Sequence, residues 1–466
     1  MAADLSLATL TEVADLLAKR AISPVELLEV QLAAIASRDP ALHAYVTVLP
    51  DAARAEAKRA EAEIARGSYR GPLHGVPVAV KDLCLTRGVR TTCGSRLLER
   101  AVPDSDATVV RRLADAGAVL LGKLAMTEFA MTGYPAGIAP PVNPRDPERY
   151  TGMSSSGSAV AACAGLAFAT IATDTGGSIR FPSAACGVVG LKPTYGRVSR
   201  TGVYPLAPSL DHVGPMARSV ADAAAVLDVI AGFDADDPTS MRAQQPGCAA
   251  AVGQDARGLR VGLDEAFVSQ VTQPEVTAAH RTAMKALASA GATIVPVTVP
   301  PVAQALHAWP VLCASEALVV HVDLGFYPKR AAEYGTLFRT LLEWGSSLSG
   351  AAVAEAWALR AAWAGRFDRL FDEVDVIACP SSSTVTLPVG AMRADTPFTP
   401  AIAPFMRFTA PMNFSGHPTL SIPFGDAELP DSLQLVARRG GEATLCRLGH
   451  AFETVVGRLA PPPPLG

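Results

Sequence analysis

The stretch that most constrains the fold is a run of small apolar residues, Ala159 to Thr173, which stops at Asp174-Thr175-Gly176-Gly177-Ser178-Ile179-Arg180. The run is too short and too rich in alanine for a membrane span, and it predicts a buried helix. Two glycines at the end of a buried segment let the backbone turn sharply and let a substrate come close to main-chain N–H groups. A serine directly after them has what a nucleophile needs: an accessible hydroxyl and N–H donors within reach of a developing oxyanion. Taken alone, the heptapeptide reads better as an ordinary turn with an idle serine. Its neighbours change that reading.

Composition narrows the function classes. With 49% hydrophobic and 18% charged residues in 466, the chain is globular and rather apolar. A net charge of -4 gives no electrostatic footprint for nucleic acid. The N-terminus has no basic segment leading into an apolar one, so no signal peptide is expected. The 8 cysteines are scattered without a C-x-x-C, which suits reduced, buried thiols of a cytoplasmic protein. The 8 histidines show no ligand spacing, so neither metal nor cofactor is predicted. Only Lys19, Lys58, Lys81, Lys123, Lys192, Lys285 and Lys329 are lysines; arginine takes every other basic position. Arginine stays protonated, whereas a desolvated lysine can serve as a base. Lys81, Lys123 and Lys192 all adjoin strand-like apolar runs, and the residues alone leave the three as rivals.

Along the chain, helices are predicted at Leu10 to Arg20, from the cap Ser23-Pro24-Val25-Glu26 to about Ser37, and at Ala52 to Arg66. A strand at Val76 to Val80 ends at Lys81-Asp82. A helix over Asp106 to Ala116, capped by Ser105 or Asp106, leads to a strand at Ala118 to Leu121 closed by Gly122-Lys123. This strand–helix–strand rhythm predicts an α/β fold. Tyr134 to Tyr150 reads as loop and delivers Gly152-Met153-Ser154-Ser155-Ser156-Gly157-Ser158, which abuts the predicted buried helix and so is not a flexible linker. Further on, Gly187 to Leu191 reads as strand, Pro193 to Pro215 as a turn-rich loop, Ala221 to Ala231 as a helix and Asp234 to Gly258 as a surface connection. Strands are predicted at Leu259 to Leu263, Ala292 to Val299, Val374 to Ala378, Pro418 to Pro423 and Leu433 to Ala437. Helices are predicted at Thr277 to Gly291 and Ala351 to Phe371, and an exposed proline tail at residues 461–466.

Lys81 at a strand end, the serines around Ser154, and Ser178 after two glycines together resemble the amidase signature family of serine hydrolases. The likeness begins at Gly71-Pro72-Leu73-His74-Gly75-Val76-Pro77-Val78-Ala79-Val80-Lys81-Asp82. It is densest from Asp174 through Phe181-Pro182 to Gly187-Val188-Val189-Gly190-Leu191-Lys192-Pro193-Thr194. Asn143-Pro144 and Ser209-Leu210-Asp211-His212-Val213-Gly214-Pro215 also fit; after residue 232 the likeness weakens, returning at Gly416-His417-Pro418 and Leu433 to Val436. The resemblance implies one large domain, residues 1–466, with a mixed twisted sheet covered by helices on both faces and the site at one edge. Residues 1–70 would form a helical cover, 71–232 the signature core and 233–460 a variable substrate-side part.

Position by position, the resemblance makes Ser178 the nucleophile, Lys81 the base, and Ser154 the serine that follows a cis peptide bond and relays protons between them. It assigns the oxyanion hole to the N–H groups of Thr175, Gly176, Gly177 and Ser178, and support of the triad to Ser155 and Arg180. Ala130 and Met131 would line the acyl side of the substrate pocket. Met153 and Ser156 stand where the family has glycines, so Met153 is expected to pack or to shape the pocket; Leu124-Ala125 after Lys123 is a further pocket-side departure. No G-x-S-x-G elbow, P-loop or Rossmann pattern competes. The implied activity is hydrolysis of small, fairly hydrophobic amides, extending to aryl amides, carbamates and esters, by a monomer or homodimer needing no nucleic acid and no membrane. Two alternatives are a glutaminase subunit of a tRNA-dependent amidotransferase, suggested by Tyr195-Gly196-Arg197-Val198-Ser199-Arg200, and a non-catalytic binding protein of the same fold.

Overall fold

The computed structural model describes residues 4–391, 405–426 and 428–463. Its frame is one sheet of 11 strands: β1 (Tyr45–Val48), β2 (Pro77–Lys81), β3 (Val119–Leu124), β4 (Ala169–Asp174), β5 (Val189–Lys192), β6 (His212–Ala217), β7 (Arg260–Leu263), β8 (Thr293–Pro296), β9 (Val376–Pro380), β10 (Thr419–Phe424) and β11 (Asp431–Ala437). They run in the order β1-β3-β2-β4-β6-β5-β10-β11-β9-β7-β8. The sheet is mixed: β3, β2 and β4 are parallel neighbours, the strands from β4 to β9 pair antiparallel, and β9, β7 and β8 are parallel again. Central strands β2, β4, β5, β6 and β10 are buried throughout, as strands covered on both faces must be. This is the single large α/β domain that the sequence implied.

The N-terminal cover forms as predicted. Helix α1 (Leu10–Ala18) starts from a Thr9–Glu12 capping box, and α2 (Pro24–Leu42) from the Ser23–Glu26 box with proline in its first turn. Helix α2 runs past the expected end at Ser37 and carries Pro40 inside it; α3 covers Pro50–Ala65. Helix α4 (Thr108–Asp115) is capped by neither expected residue: Ala107 is its N-cap, and the Asp106 carboxylate accepts the Arg87 N–H.

The run from Ala159 to Thr173 is not one helix. Helix α5 (Ser156–Cys163) ends there, the chain reverses at Gly165 (φ +68), and the rest is strand β4. A glycine in the left-handed region just beyond the last turn is an ordinary helix stop, and the Thr170-Ile171-Ala172-Thr173 that follows is β-branched enough to pair on both sides. Gly122-Lys123 does not close β3, which continues to Leu124; at Gly122 a Cβ would lie 2.1 Å from the Thr47 carbonyl, so glycine is what lets β1 pair there. The loop predicted to Pro215 ends earlier, in β6.

Strand β1 and the helices Arg180–Cys186, Ala303–Asp323, Thr336–Ser347, Ala410–Ser415 and Glu442–Val456 were not foreseen. The helix Ala303–Asp323 is long and apolar enough to cross a membrane, but it packs against the helices Thr336–Ser347 and Gly350–Asp368 and buries Trp309, Leu312 and Cys313 in the core. Pro461 and Pro463 are exposed at the C-terminus; Pro464, Leu465 and Gly466 lie outside the described residues.

Candidate active site

Strands β2 and β4 lie side by side, third and fourth in the sheet order, and end together with Val80 opposite Ile171. The edge that carries the site is therefore the row of carboxyl ends of parallel strands near the middle of the sheet, a common place for a ligand in α/β folds. Lys81 closes β2, Thr173 and Asp174 close β4, and the loop into α5 brings Ser154 and Ser155 against both.

The Lys81 side chain is fully buried, and its Nζ lies 2.7 Å from Ser154 Oγ, 2.9 Å from Ser155 Oγ and 2.8 Å from Thr173 Oγ1. No carboxylate among the described residues forms an ion pair with it. Burial without a counter-charge disfavours the ammonium form, and the pKa falls from 10.5 to about 7; weaker attractions to Cys84, Asp174 and Asp211 oppose the fall. Ser155 Oγ donates to the Thr173 carbonyl at 3.1 Å, so its hydrogen is spoken for. When Lys81 is neutral, the hydroxyl that turns its hydrogen to the amine must be that of Ser154 or Thr173. The rival lysines are engaged otherwise. Lys123 Nζ is 3.2 Å from the Asp82 carboxylate and 2.6 Å from Thr91 Oγ1, and Lys192 donates to the His417 carbonyl at 2.5 Å.

The peptide bond Met153–Ser154 is cis, at the position the resemblance marked. Ser154 is buried, and its carbonyl accepts the Thr127 N–H at 3.3 Å. Gly152 (φ +76) passes so close to Pro182 that a Cβ would lie 2.5 Å from its backbone. At Gly157 a Cβ would lie 2.6 Å from the backbone of Ala125 and of Ala44, so α5 meets the β3 end backbone to backbone. Ser156, in place of a glycine, bonds its hydroxyl to that of Tyr134.

Ser178 follows β4 on the Gly-Gly turn and is 9% exposed. Two carboxylates hold this turn from opposite ends. Asp174 accepts the N–H of Gly177 at 2.8 Å and of Ile179 at 3.0 Å, and pairs with Arg180 through Nε at 3.0 Å and Nη2 at 2.8 Å. Burial alone would raise the Asp174 pKa, but the Arg180 guanidinium and these hydrogen bonds hold it well below the usual carboxylate range. At the other end, Asp211 accepts the Thr175 hydroxyl at 2.5 Å and the N–H groups of Leu206 and Ala207 at 2.9 and 3.1 Å. The Thr175 carbonyl accepts Trp309 Nε1–H at 2.9 Å. The turn is packed as well as bonded: a Cβ at Gly176 would meet the Trp309 ring at 2.5 Å, and one at Gly177 the Phe181 ring at 2.4 Å.

These contacts revise two expectations. The Gly177 N–H is bound to Asp174 and is not free for an oxyanion, whereas no protein acceptor takes the N–H of Thr175, Gly176 or Ser178 among the described residues. Arg180 bonds none of Ser178, Ser154 and Lys81; it holds Asp174 and bonds Thr409, Asn413 and Gln434, so it acts on the turn at one remove. Ser155 does touch Lys81.

A cavity of about 240 Å³ opens beside the turn, lined by Ala130, Thr173, Thr175, Tyr204 and Asp211 among others. Ala130 reaches it on a loop where Phe129 (φ 45) and Ala130 (φ 63) are both left-handed. Met131 is buried and Met153 half-buried, and neither lines this cavity. Sequence reasoning missed Thr173, hidden in the apolar run, and Asp211, which the resemblance matches without a role. It also missed Trp309 and Asn413, in segments with no motif to mark them.

The amidase family model matches residues 26–446. The chain belongs to the amidase family. Its relatives include "Putative amidase AmiD" of Mycobacterium tuberculosis, 41% identical over 457 residues, 97% of this chain and 95% of that one. A glutamyl-tRNA(Gln) amidotransferase subunit of Chloroflexus aurantiacus is 40% identical over 469 residues, 96% of each chain. Among solved structures, a chain from a vestigial protein complex that reveals the origins of an s-triazine catabolic enzyme is 31% identical with a TM-score of 0.90, covering 97% of this chain and 100% of that one. Amidase signature membership and the fold of that family are thus established for this chain, and its enzyme class is that of an amidohydrolase.

Proposed function

We propose that this amidase acts alone on small, fairly hydrophobic amides, with Ser178 as nucleophile, Ser154 as proton relay and Lys81 as base. The observation that carries the reading is Lys81: a buried lysine with no ion-pair partner among the described residues, its pKa lowered to about 7, in contact with Ser154 and beside a turn with free N–H groups. A base poised near the working pH is what general base catalysis favours. In acylation Ser178 Oγ attacks the carbonyl carbon and gives its proton to Ser154, whose own proton passes to Lys81. Collapse of the tetrahedral adduct breaks the C–N bond, and the leaving amine takes the proton back along the same path. Water then attacks the acyl-enzyme, its proton moving by the same relay, and releases the acid. The N–H groups of Thr175, Gly176 and Ser178 would hold the oxyanion. A carbamoyl group or an ester would fit the same hole.

The two classes of relative stand at nearly equal identity, so the surroundings of the turn must decide between them. Over its two glycines lie Trp309, Met406 and Phe181, with Phe405 stacked on Phe181, all apolar or aromatic. The arginine that lines the adjoining cavity, Arg200, spends its Nη atoms on Pro208, Tyr195 and Thr239. An apolar cover over the turn suits a hydrophobic amide, which favours the stand-alone amidase over a glutaminase working within a larger assembly. All 8 cysteines are free buried thiols, which supports a cytoplasmic place. The test is hydrolysis by the purified chain alone of matched aryl amide, carbamate and ester substrates and of glutamine. Turnover of the aryl amide without a partner is expected; turnover of glutamine alone, or of nothing until partner proteins are added, would overturn the proposal.

A further inference from the structure

A second, smaller cavity of about 50 Å³ adjoins the site on the far side of Phe181. Gly152, two residues before Ser154, is in its wall, and so is Phe181, whose ring covers Gly177 and stacks on Phe405 with centroids 4.2 Å apart. Most of the lining is apolar or aromatic, and no lysine or arginine belongs to it. Three of its hydroxyls are already used: Ser432 bonds Ser381, and Ser382 bonds Thr384.

Two ionisable groups in the wall stand out. His280 is 4% exposed and hydrogen-bonds the Ala378 carbonyl, which commits its ring proton to that side, and its Nε2 has no partner among the described residues. A buried ring nitrogen left as an acceptor costs stability unless something donates to it. Asp431 starts β11 and lines the same cavity; among the described residues its carboxylate neither accepts a hydrogen bond nor pairs with a cation. Burial and the nearby Asp426 raise its pKa to about 6, and nothing in the protein compensates. An apolar cavity whose wall holds a neutral acceptor and an unpaired carboxylate is complementary to a cation on an apolar body.

We propose that this cavity is a substrate subsite for an ammonium group, received by Asp431 and His280, so that the preferred amides carry an amine at the end remote from the scissile bond. The inference rests on the amidase reading above, which supplies the bond that is cut. Phe181 and Phe405 would cover the apolar body of the substrate, and the ammonium would donate to Asp431 and to His280 Nε2.

The test uses substrate pairs that differ only in a distal group, CH2NH3+ against CH2CH3, placed on the acyl side in one pair (4-(aminomethyl)benzamide and 4-ethylbenzamide) and on the aniline side of an acetanilide in the other. A charge-assisted hydrogen bond is worth about 1.5–3 kcal/mol, roughly a tenfold to hundredfold preference. Wild type should prefer the ammonium member of one pair by that factor in kcat/KM, mainly through KM. Asp431→Asn should abolish the preference, read as the ratio of kcat/KM between the two members of the pair. No preference in either pair, or a preference that survives in Asp431→Asn, overturns the subsite. Calorimetric binding of benzylamine to wild type and to Asp431→Asn reads the subsite without turnover: weaker binding in the variant supports it, and equal or absent binding in both overturns it. Failure of the hydrolase reading would show differently, as no hydrolysis of any member of either pair.

Discussion

At the scale of the residue, the proposed mechanism turns on why one lysine among seven could serve as a base. Lys81, Lys123 and Lys192 are all fully buried, Lys81 and Lys192 at strand ends and Lys123 one residue before one. Lys123 faces a carboxylate and Lys192 a carbonyl, whereas Lys81 faces only hydroxyls, which can partner either an ammonium or an amine. The consequence is a pH dependence of definite sign. Because catalysis needs the neutral amine, kcat/KM should rise with pH through about 7 and level off above it, and Lys81→Met should reduce turnover by at least about a hundredfold at every pH. Stability should move the same way: unfolded Lys81 keeps its proton up to 10.5 and folded Lys81 only to about 7, so its contribution rises with pH across that window. A pH–rate profile and melting curves across the same range check both. The sequence alone could not rank the three lysines, because all end apolar runs; the resemblance selected Lys81, and the hydroxyl cage supplies the physical reason.

At the scale of the element, the nucleophile turn is a short loop made rigid from outside. Asp174 and Arg180 fix its distal half, and the Asp211 and Trp309 contacts fix Thr175 through its hydroxyl and its carbonyl. Thr175→Val should lower kcat about tenfold or more with KM within about twofold, since misplacing a group by a fraction of an ångström is felt mainly in the transition state. Arg180→Met leaves Asp174 buried and unpaired and should cost about 3–5 kcal/mol of stability, read by denaturant unfolding. Elements with capping signals or β-branched runs, such as α2 and β2, were legible in the sequence. The run ending at Thr173 was not, because alanine suits a helix and a buried strand alike, and only Gly165 marks the break. The partners of the turn were illegible for another reason. Asp211, Trp309 and Asn413 reach it from positions remote in sequence, and no local pattern announces such a contact.

At the scale of the whole molecule, the first half of the chain carries the proposed catalytic residues and the C-terminal half closes around them. Strands β9 to β11 extend the sheet, the helix Ala303–Asp323 brings Trp309 to the turn, and the helix Ala410–Ser415 brings Asn413 to Asp174. The C-terminal half should therefore influence substrate choice through the turn. Trp309→Phe keeps the ring but removes the Nε1–H bond to Thr175, and it should change the ranking of substrates while leaving the fold intact, as circular dichroism would verify. The motif-rich first half was readable because catalytic geometry tolerates few residue types. The second half was not, because its task is to fill and shape, which many apolar sequences can do.

The central claim is that Ser178 forms a covalent acyl-enzyme and that Lys81 makes it nucleophilic. Rapid-quench intact-mass measurement with a slowly turning-over aryl carbamate tests it most directly, followed by mapping of the modified peptide in wild type, Ser178→Ala and Lys81→Met. The account predicts one added carbamoyl group on the peptide containing Ser178 in wild type, none in Ser178→Ala, and formation slowed by at least about a hundredfold in Lys81→Met. A carbamoyl group on any other residue, or an adduct that forms at the wild-type rate in Lys81→Met, would contradict it.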